Sequence, residues 1–214
     1  MKQYFLSKNS DSLLMFFAGW GCDEYAFEHL YSESDVLILY EYNDLKLDFD
    51  FSKYKKVELM TFSAGVFVAS VFNFDFKISR KVAIDGNPYL FDEYYGLSKS
   101  MQEILYNITE DSAEAFARNY LVKTDEEYKI FHPSMRTLAS CKEEFDCLRQ
   151  IYNSNKAKIK DIYDLAIFGD SDPIFNVSAQ KEFFKDRLRI VKNARHDPFF
   201  RIKKFEDVFE LGVQ

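Results

Sequence analysis

Cysteine is scarce in this 214-residue chain, and what there is suits neither of its usual structural uses. Cys22, Cys141 and Cys147 are odd in number, form no CxxC pair and have no histidine at ligand spacing. That excludes a disulfide framework and a zinc site as expectations, and a reduced, cytoplasmic chain without metal or cofactor is expected. Positive charge is also short. With 28 Lys and Arg against 35 Asp and Glu the formal charge is −7, which argues against nucleic acid, whose phosphates require clustered cations. No apolar run approaches the roughly 20 residues that span a bilayer. The opening MKQYFLSKNSDSLLMFF has no uninterrupted apolar core leading to a small-residue cleavage site, so a signal peptide is not expected either. Gly/Ser-rich linkers, Pro-rich linkers and internal repeats are absent, and a single domain over 1–214 is expected.

What the chain does have is an alternation of short apolar runs with longer mixed segments. Strands are expected at Leu13–Ala18, Val36–Tyr40, Val57–Phe62, Val82–Asp85, Leu165–Phe168 and Leu188–Val191. Most are apolar on both faces, the signature of a largely parallel sheet buried between two helical layers. From about residue 88 to residue 160 no strand is evident, and SKSMQEILYNI, SAEAFARNYLV and KEEFDCLRQIYNS read as helices. Asp111 or Ser112 is the expected cap of the second, assisted by Glu114. A helical insertion of this size between two strands is expected to cover a site as a cap. The aromatic excess (18%) is scattered through the chain and marks no motif.

The chemistry concentrates in Val57–Ser70. There a strand runs straight into Ser63, followed by Ala64, Gly65 and an apolar helix-like run. This is the layout of a nucleophile elbow, although Thr61 stands where G-x-S-x-G has its first glycine. Strand LLMFFA ends in Ala18-Gly19-Trp20-Gly21, placed to supply one backbone N–H of an oxyanion hole at Trp20, with the other from Ala64. Late in the chain LAIF-Gly169-Asp170-Ser171-Asp172-Pro173 and then Arg195-His196-Asp197-Pro198 each follow a strand. The order Ser, Asp, His is that of the α/β-hydrolase fold, in which the acid orients the imidazole and the imidazole takes the serine proton. Of the three histidines, His29 is expected on a surface and His132 in the inserted region, and only His196 follows a late strand. For the acid, Asp172 is preferred to Asp170, with Asp85 at the end of VAID in reserve.

FFAGWG, VLILYEYNDLKLDFDFSKY, TFSAGVFVA, IDGNPY, SDPIF and the late His196 together resemble the pimeloyl-[acyl-carrier protein] methyl ester esterases of the BioG type. The resemblance is specific over the first ninety residues and thin between Ser98 and Lys160. It implies hydrolysis of the methyl ester of pimeloyl-acyl-carrier protein in biotin synthesis, releasing methanol. It assigns Ser63, Asp172 and His196 to the family's triad positions and Trp20 to its Gly-Trp motif. Phe62 and Ala64 replace the Trp and Met expected on either side of the serine, and Asp85 stands where Asn is common. An acidic carrier protein as partner implies a local basic patch, for which Arg118, Lys123, Arg136, Lys142 and Arg149 are candidates, with Arg118, Arg136 and Arg149 foremost. The alternatives are a general carboxylesterase or thioesterase with the same triad, and a hydrolase fold used only for binding.

Overall fold

In the computed structural model, which describes residues 1–212, one seven-stranded sheet organises the molecule. The strands are β1 (Lys2–Leu6), β2 (Ser12–Phe17), β3 (Asp35–Tyr40), β4 (Lys56–Phe62), β5 (Arg80–Ile84), β6 (Leu165–Gly169) and β7 (Leu188–Val191), in the order β1-β3-β2-β4-β5-β6-β7. All neighbours are parallel except β1, which runs antiparallel to β3 with Lys2 opposite Tyr40 and Leu6 opposite Val36. This is the mostly parallel α/β-hydrolase sheet that the apolar runs predict. The exception, β1, is an edge strand whose residues are mostly exposed, so it lacks the doubly apolar pattern that marks most of the others.

Successive side chains of each strand enter opposite layers. Leu13, Met15 and Phe17 face one core with Leu59, Ala83 and Phe168, while Leu14, Phe16 and Ala18 face the other with Met60, Ile84 and Ile167. The first layer is covered by regular helices: α1 (Ala64–Val71), α2 (Lys99–Tyr106), α5 (Leu138–Asn155) and α6 (Val177–Phe184). The second is covered by short 3-10 turns at Glu24–Phe27, Phe199–Arg201 and Phe205–Glu210, not by the helical layer expected there. Phe16, fully buried, meets Phe27, Phe199 and Phe205 edge-on at 4.8–5.7 Å. Large aromatic rings bury enough area in short turns to replace a helix face.

Between β5 and β6 lie α2, α3 (Glu110–Phe116), a π-turn over Ala117–Leu121, α4 (Asp125–Ile130) and α5. α3 starts one turn earlier than the sequence suggests. Thr109 occupies the cap position, Ser112 Oγ accepts its N–H at 2.9 Å, and Asp111 lies inside the first turn. α5 packs along the sheet's helical layer, with Tyr152 5.4 Å from Phe67 of α1. Among the described residues no helix is long and apolar enough to cross a membrane.

α1 follows β4 with no connecting loop, and its second residue, Gly65, lies against the end of β2. A Cβ on residue 65 would stand 2.3 Å from the Phe17 carbonyl oxygen and 2.6 Å from that of Ala18. Backbone cannot rotate away as a side chain can. Gly65→Ala should therefore destabilise by about 1–3 kcal/mol, the range of overpacking substitutions. The check is a lower urea midpoint at unchanged slope.

Candidate active site

The strand order reverses about β2, since β3 lies to one side of it and β4 to the other. Loops leaving the C-terminal ends of β2 and β4 therefore diverge and leave a crevice, the usual place for a ligand in such sheets. The loop Ala18–Gly21 and the Ser63 turn border it. An added Cβ on Gly19 would lie 3.0 Å from the Phe62 ring and 3.3 Å from Ser63 Cβ, so the loop passes close beside the serine. Ser63 has φ 51° and ψ −120°, a left-handed conformation costly for a serine, with its N–H held by Ile84 O at 2.9 Å. The sharp turn lifts the side chain above the sheet edge. Thr61 needs no replacement by glycine: its hydroxyl is buried and donates to Val82 O at 2.9 Å.

Ser63, His196 and Asp172 meet. Ser63 Oγ is 3.0 Å from His196 Nε2, and His196 Nδ1 is 3.0 Å from Asp172 Oδ2. Asp172 Oδ1 accepts the N–H groups of Ile174 (2.7 Å) and Phe175 (3.2 Å), which fixes the carboxylate from behind. A carboxylate facing Nδ1 places the proton there and leaves Nε2 free to accept from the serine. The imidazole lies between two rings, Phe175 stacked at 5.8 Å and Phe62 tilted at 5.2 Å. The two loops are tied by main chain, with Ser171 N–H donating to Ala194 O at 3.0 Å. Chemically, this relay can draw a proton from Ser63 and return it to a leaving group.

Asp85 adjoins the relay without taking His196 from Asp172. It is fully buried, and one oxygen accepts the Gly169 N–H at 2.9 Å. Atoms of Asp85, Asp172 and His196 lie within 4.8 Å of one another. Two ionised carboxylates at that separation repel by about 3–4 kcal/mol at an effective dielectric near 20. Burial, and then the charge of Asp172, holds the Asp85 carboxyl well above the usual carboxylate range. The facing atoms of Asp172 and His196 are engaged with each other and with backbone N–H groups, which leaves no open ligand set for a cation.

The glycine-bracketed loop is held by a residue that sequence reasoning passed over. Glu144 of α5 is fully buried and accepts three donors: Gly21 N–H (3.0 Å), Tyr42 N–H (2.9 Å) and Arg136 Nη1 (2.6 Å). Burial nevertheless raises its pKa. Tyr42 in turn donates its hydroxyl to Ala18 O at 2.7 Å. Trp20 Nε1 donates to Cys141 O at 2.6 Å, and the indole meets Phe145 edge-on at 5.6 Å. The loop's side chains thus reach into α5, and the backbone N–H groups of Trp20 and Ala64 have no protein acceptor among the described residues. A signal for Glu144 was present. It lies three residues after Cys141 and four before Leu148, on the stripe that buries α5.

Above Ser63 is a largely apolar cavity of about 220 Å³, walled by Leu90, Leu97, Leu105, Ile108, Phe116, Leu121, Phe131 and Phe145 among others. Most of these come from the insertion. Asp197 also lines it, and burial pushes its carboxyl up to about 7.

The remaining expected residues lie elsewhere. Asp170 is exposed and accepts the Ser171 hydroxyl. His29 is half-buried, not superficial, with Nε2 3.3 Å from Phe199 O, and His132 pairs with Glu28 at 3.0 Å. The expected basic patch is not assembled. Arg136 turns inward with its side chain 5% exposed, because the Glu144 carboxylate and the Ser140 and Cys22 carbonyls draw it there. Arg118 is answered by Glu114 (2.9 Å) and Asp125 (3.1 Å). Arg149 stands exposed over Phe145, 5.2 Å from the ring centre.

Comparison with known proteins gives the family and the fold. Residues 1–208 match the family described as pimeloyl-ACP methyl esterase BioG. An uncharacterized protein of Haemophilus influenzae is 28% identical over 216 residues, covering 98% of this chain and all of that one. The crystal structure of BioG from Haemophilus influenzae superposes with a TM-score of 0.84 at 27% identity, over the full length of both chains. A malonyl-[acyl-carrier protein] O-methyltransferase of Bacteroides fragilis is 30% identical over 178 residues. That match takes in 79% of this chain but 36% of the longer relative, so the chain corresponds to about a third of it. A carboxylesterase structure from the thaumarchaeon Nitrososphaera gargenis shares the fold, with a TM-score of 0.63 at 13% identity.

Two outcomes are expected. Glu144→Ala strands the buried Arg136 guanidinium and should destabilise by about 3–5 kcal/mol, as when one partner of a buried ion pair is removed. A chemical melt that shifts by under about 1 kcal/mol would make the network dispensable. For Asp197, the folded pKa of about 7 lies above the ordinary carboxylate value. Its contribution to stability is therefore complete at pH below about 4 and disappears as pH rises through about 7. Asp197→Asn should gain thermal stability relative to the unmodified chain between pH 5 and pH 8. Equal differences in Tm at the two pH values would show that Asp197 is not held neutral.

Proposed function

The chain belongs to the BioG family of pimeloyl-ACP methyl esterases, and we propose that it hydrolyses the methyl ester of a pimeloyl chain carried on an acyl-carrier protein, through an acyl-enzyme on Ser63. The observation that carries this reading is the unbroken contact from Ser63 Oγ to His196 to Asp172 at the floor of an apolar cavity. In the first step His196 Nε2 takes the hydroxyl proton as Ser63 Oγ bonds to the ester carbonyl carbon. The carbonyl electron pair moves onto its oxygen, which accepts the N–H groups of Trp20 and Ala64. Asp172 stabilises the imidazolium. Collapse breaks the bond to the methoxy oxygen, which leaves with the His196 proton as methanol. A water molecule then repeats the sequence on the acyl-enzyme and releases the acid, still attached to its carrier.

The cavity wall supports the substrate class. A methyl-capped aliphatic chain is neutral and gains by leaving water, whereas the carboxylate product pays desolvation in the same apolar space and is expelled. Residues 88–160 serve as the cap that excludes water from the acyl-enzyme except at the turn. Of the three arginines considered for the carrier, Arg149 remains available at the surface, and Arg118 acts only where the carrier's acids displace Glu114 and Asp125.

The test is methanol release from the carrier-linked methyl pimeloyl ester beside hydrolysis of p-nitrophenyl butyrate. The unmodified chain should prefer the former by kcat/KM. Ser63→Ala should remain folded and release no methanol, and Asp172→Asn should lose about 10⁴ in kcat, as when a triad acid is neutralised. Turnover by Ser63→Ala would overturn the nucleophile. Preference for the small ester would make the protein a general carboxylesterase.

A further inference from the structure

Asp85 is a fully buried carboxyl beside the relay with no role in the mechanism above. Its Oδ1 accepts the Gly169 N–H, while Oδ2 is buried with no partner that can donate to it. The backbone there is strained, with φ 41°, and its N–H is held by Ile167 O at 2.9 Å. Strain and an orphaned polar atom together are expensive to maintain in a core unless the side chain acts.

The neighbours decide what state it is in. Asp172 accepts three N–H donors, from Ile174, Phe175 and His196, and Asp85 accepts one. Two carboxyls this close and this dry do not both ionise, and the proton stays on the one with fewer donors. A proton on Asp85 Oδ2 also removes the orphan, because the neighbouring Asp172 carboxylate can accept it as a side-chain hydrogen bond. The other charged groups facing Asp85 are His196 and, further along the same loop, Asp197.

We propose that Asp85 is a positioning residue of the relay: it is carried neutral and donates its carboxyl proton to Asp172, so that the acid orienting His196 is itself held by a second carboxyl. This rests on the reading of Ser63, His196 and Asp172 as a catalytic relay. Asp85 touches neither substrate nor the serine and acts through Asp172 alone. The direction in which its acidity is displaced, upward through burial and the Asp172 charge, agrees with the hydrogen-bond count.

The experiment compares Asp85→Asn and Asp85→Leu in the full chain, with p-nitrophenyl butyrate as substrate so that carrier docking plays no part. Asn keeps a neutral donor toward Asp172 and an acceptor for Gly169, so kcat and the acid limb of its pH profile should stay where they are. Leu removes the donor, and kcat should fall about tenfold, as for a lost hydrogen bond to a charged group, with KM unchanged. Infrared difference spectra at pH 7 should show a protonated-carboxyl band that Asp85→Asn lacks. An acid limb displaced downward by about one pH unit or more in Asp85→Asn would mean that a negative charge had been removed, and would overturn the proposal. So would a missing infrared band, or full kcat in Asp85→Leu. If the Leu variant fails to fold, the Asn profile and the infrared band still decide. A chain that hydrolyses neither ester would sink the esterase reading, while the infrared band would still report the proton.

Discussion

The fold turns on how closely α1 approaches the end of β2. Residue 65 has no side chain, so the helix can lie against the carbonyls of Phe17 and Ala18, where even a methyl group would collide. That seating leaves no room for a loop between β4 and α1, and Ser63 must turn the chain by itself in a left-handed conformation. It also sets the first N–H groups of α1 beside the loop that leaves β2, so that the serine and the free N–H groups share one crevice. The strand order places that crevice where the connections leaving β2 and β4 diverge.

A second constraint comes from the insertion. Glu144 has no water to ionise into, and its charge is supported by Arg136 and two backbone N–H groups. Such a pair adds little net stability compared with apolar packing, but it is directional. It fixes α5 against Gly21 and the end of β3 together, and Trp20 adds a further hydrogen bond to α5. The helices that wall the cavity and the loop that borders Ser63 are therefore one connected structure. The same Arg136 that completes this network is lost to the surface, which is why the basic face expected for a carrier protein does not assemble around it.

The sheet could be read from the chain because burial on both faces forces apolar side chains at consecutive positions. Most of the strands announce themselves in this way and β1, at an exposed edge, does not. The layer over Phe16 escaped for a related reason. It consists of 3-10 turns only three to six residues long, too short for a helical period to stand out. Within the site, the order in which Ser63, Asp172 and His196 follow β4, β6 and β7 is a property of topology and is written along the chain, although it leaves Asp170 and Asp85 open beside Asp172.

What order cannot convey is which polar groups face one another once the loops close. Asp170 and Asp172 are two residues apart in sequence, yet one is exposed and the other accepts from His196, a choice made by the N–H groups of Ile174 and Phe175. Asp85 reads as the end of a strand, and only packing brings it within reach of Asp172 and withholds water from both. Arg136 and Glu144 read as surface charges and are drawn inward by each other, 8 residues apart, and by Gly21 and Tyr42, more than 100 residues from Glu144. Local sequence determined the strands, the elbow and the order of the reactive groups, because those follow from periodicity and backbone sterics. Tertiary structure alone decided the charge states and partners of the buried polar groups, because a side chain's electrostatics depends on what excludes water from it.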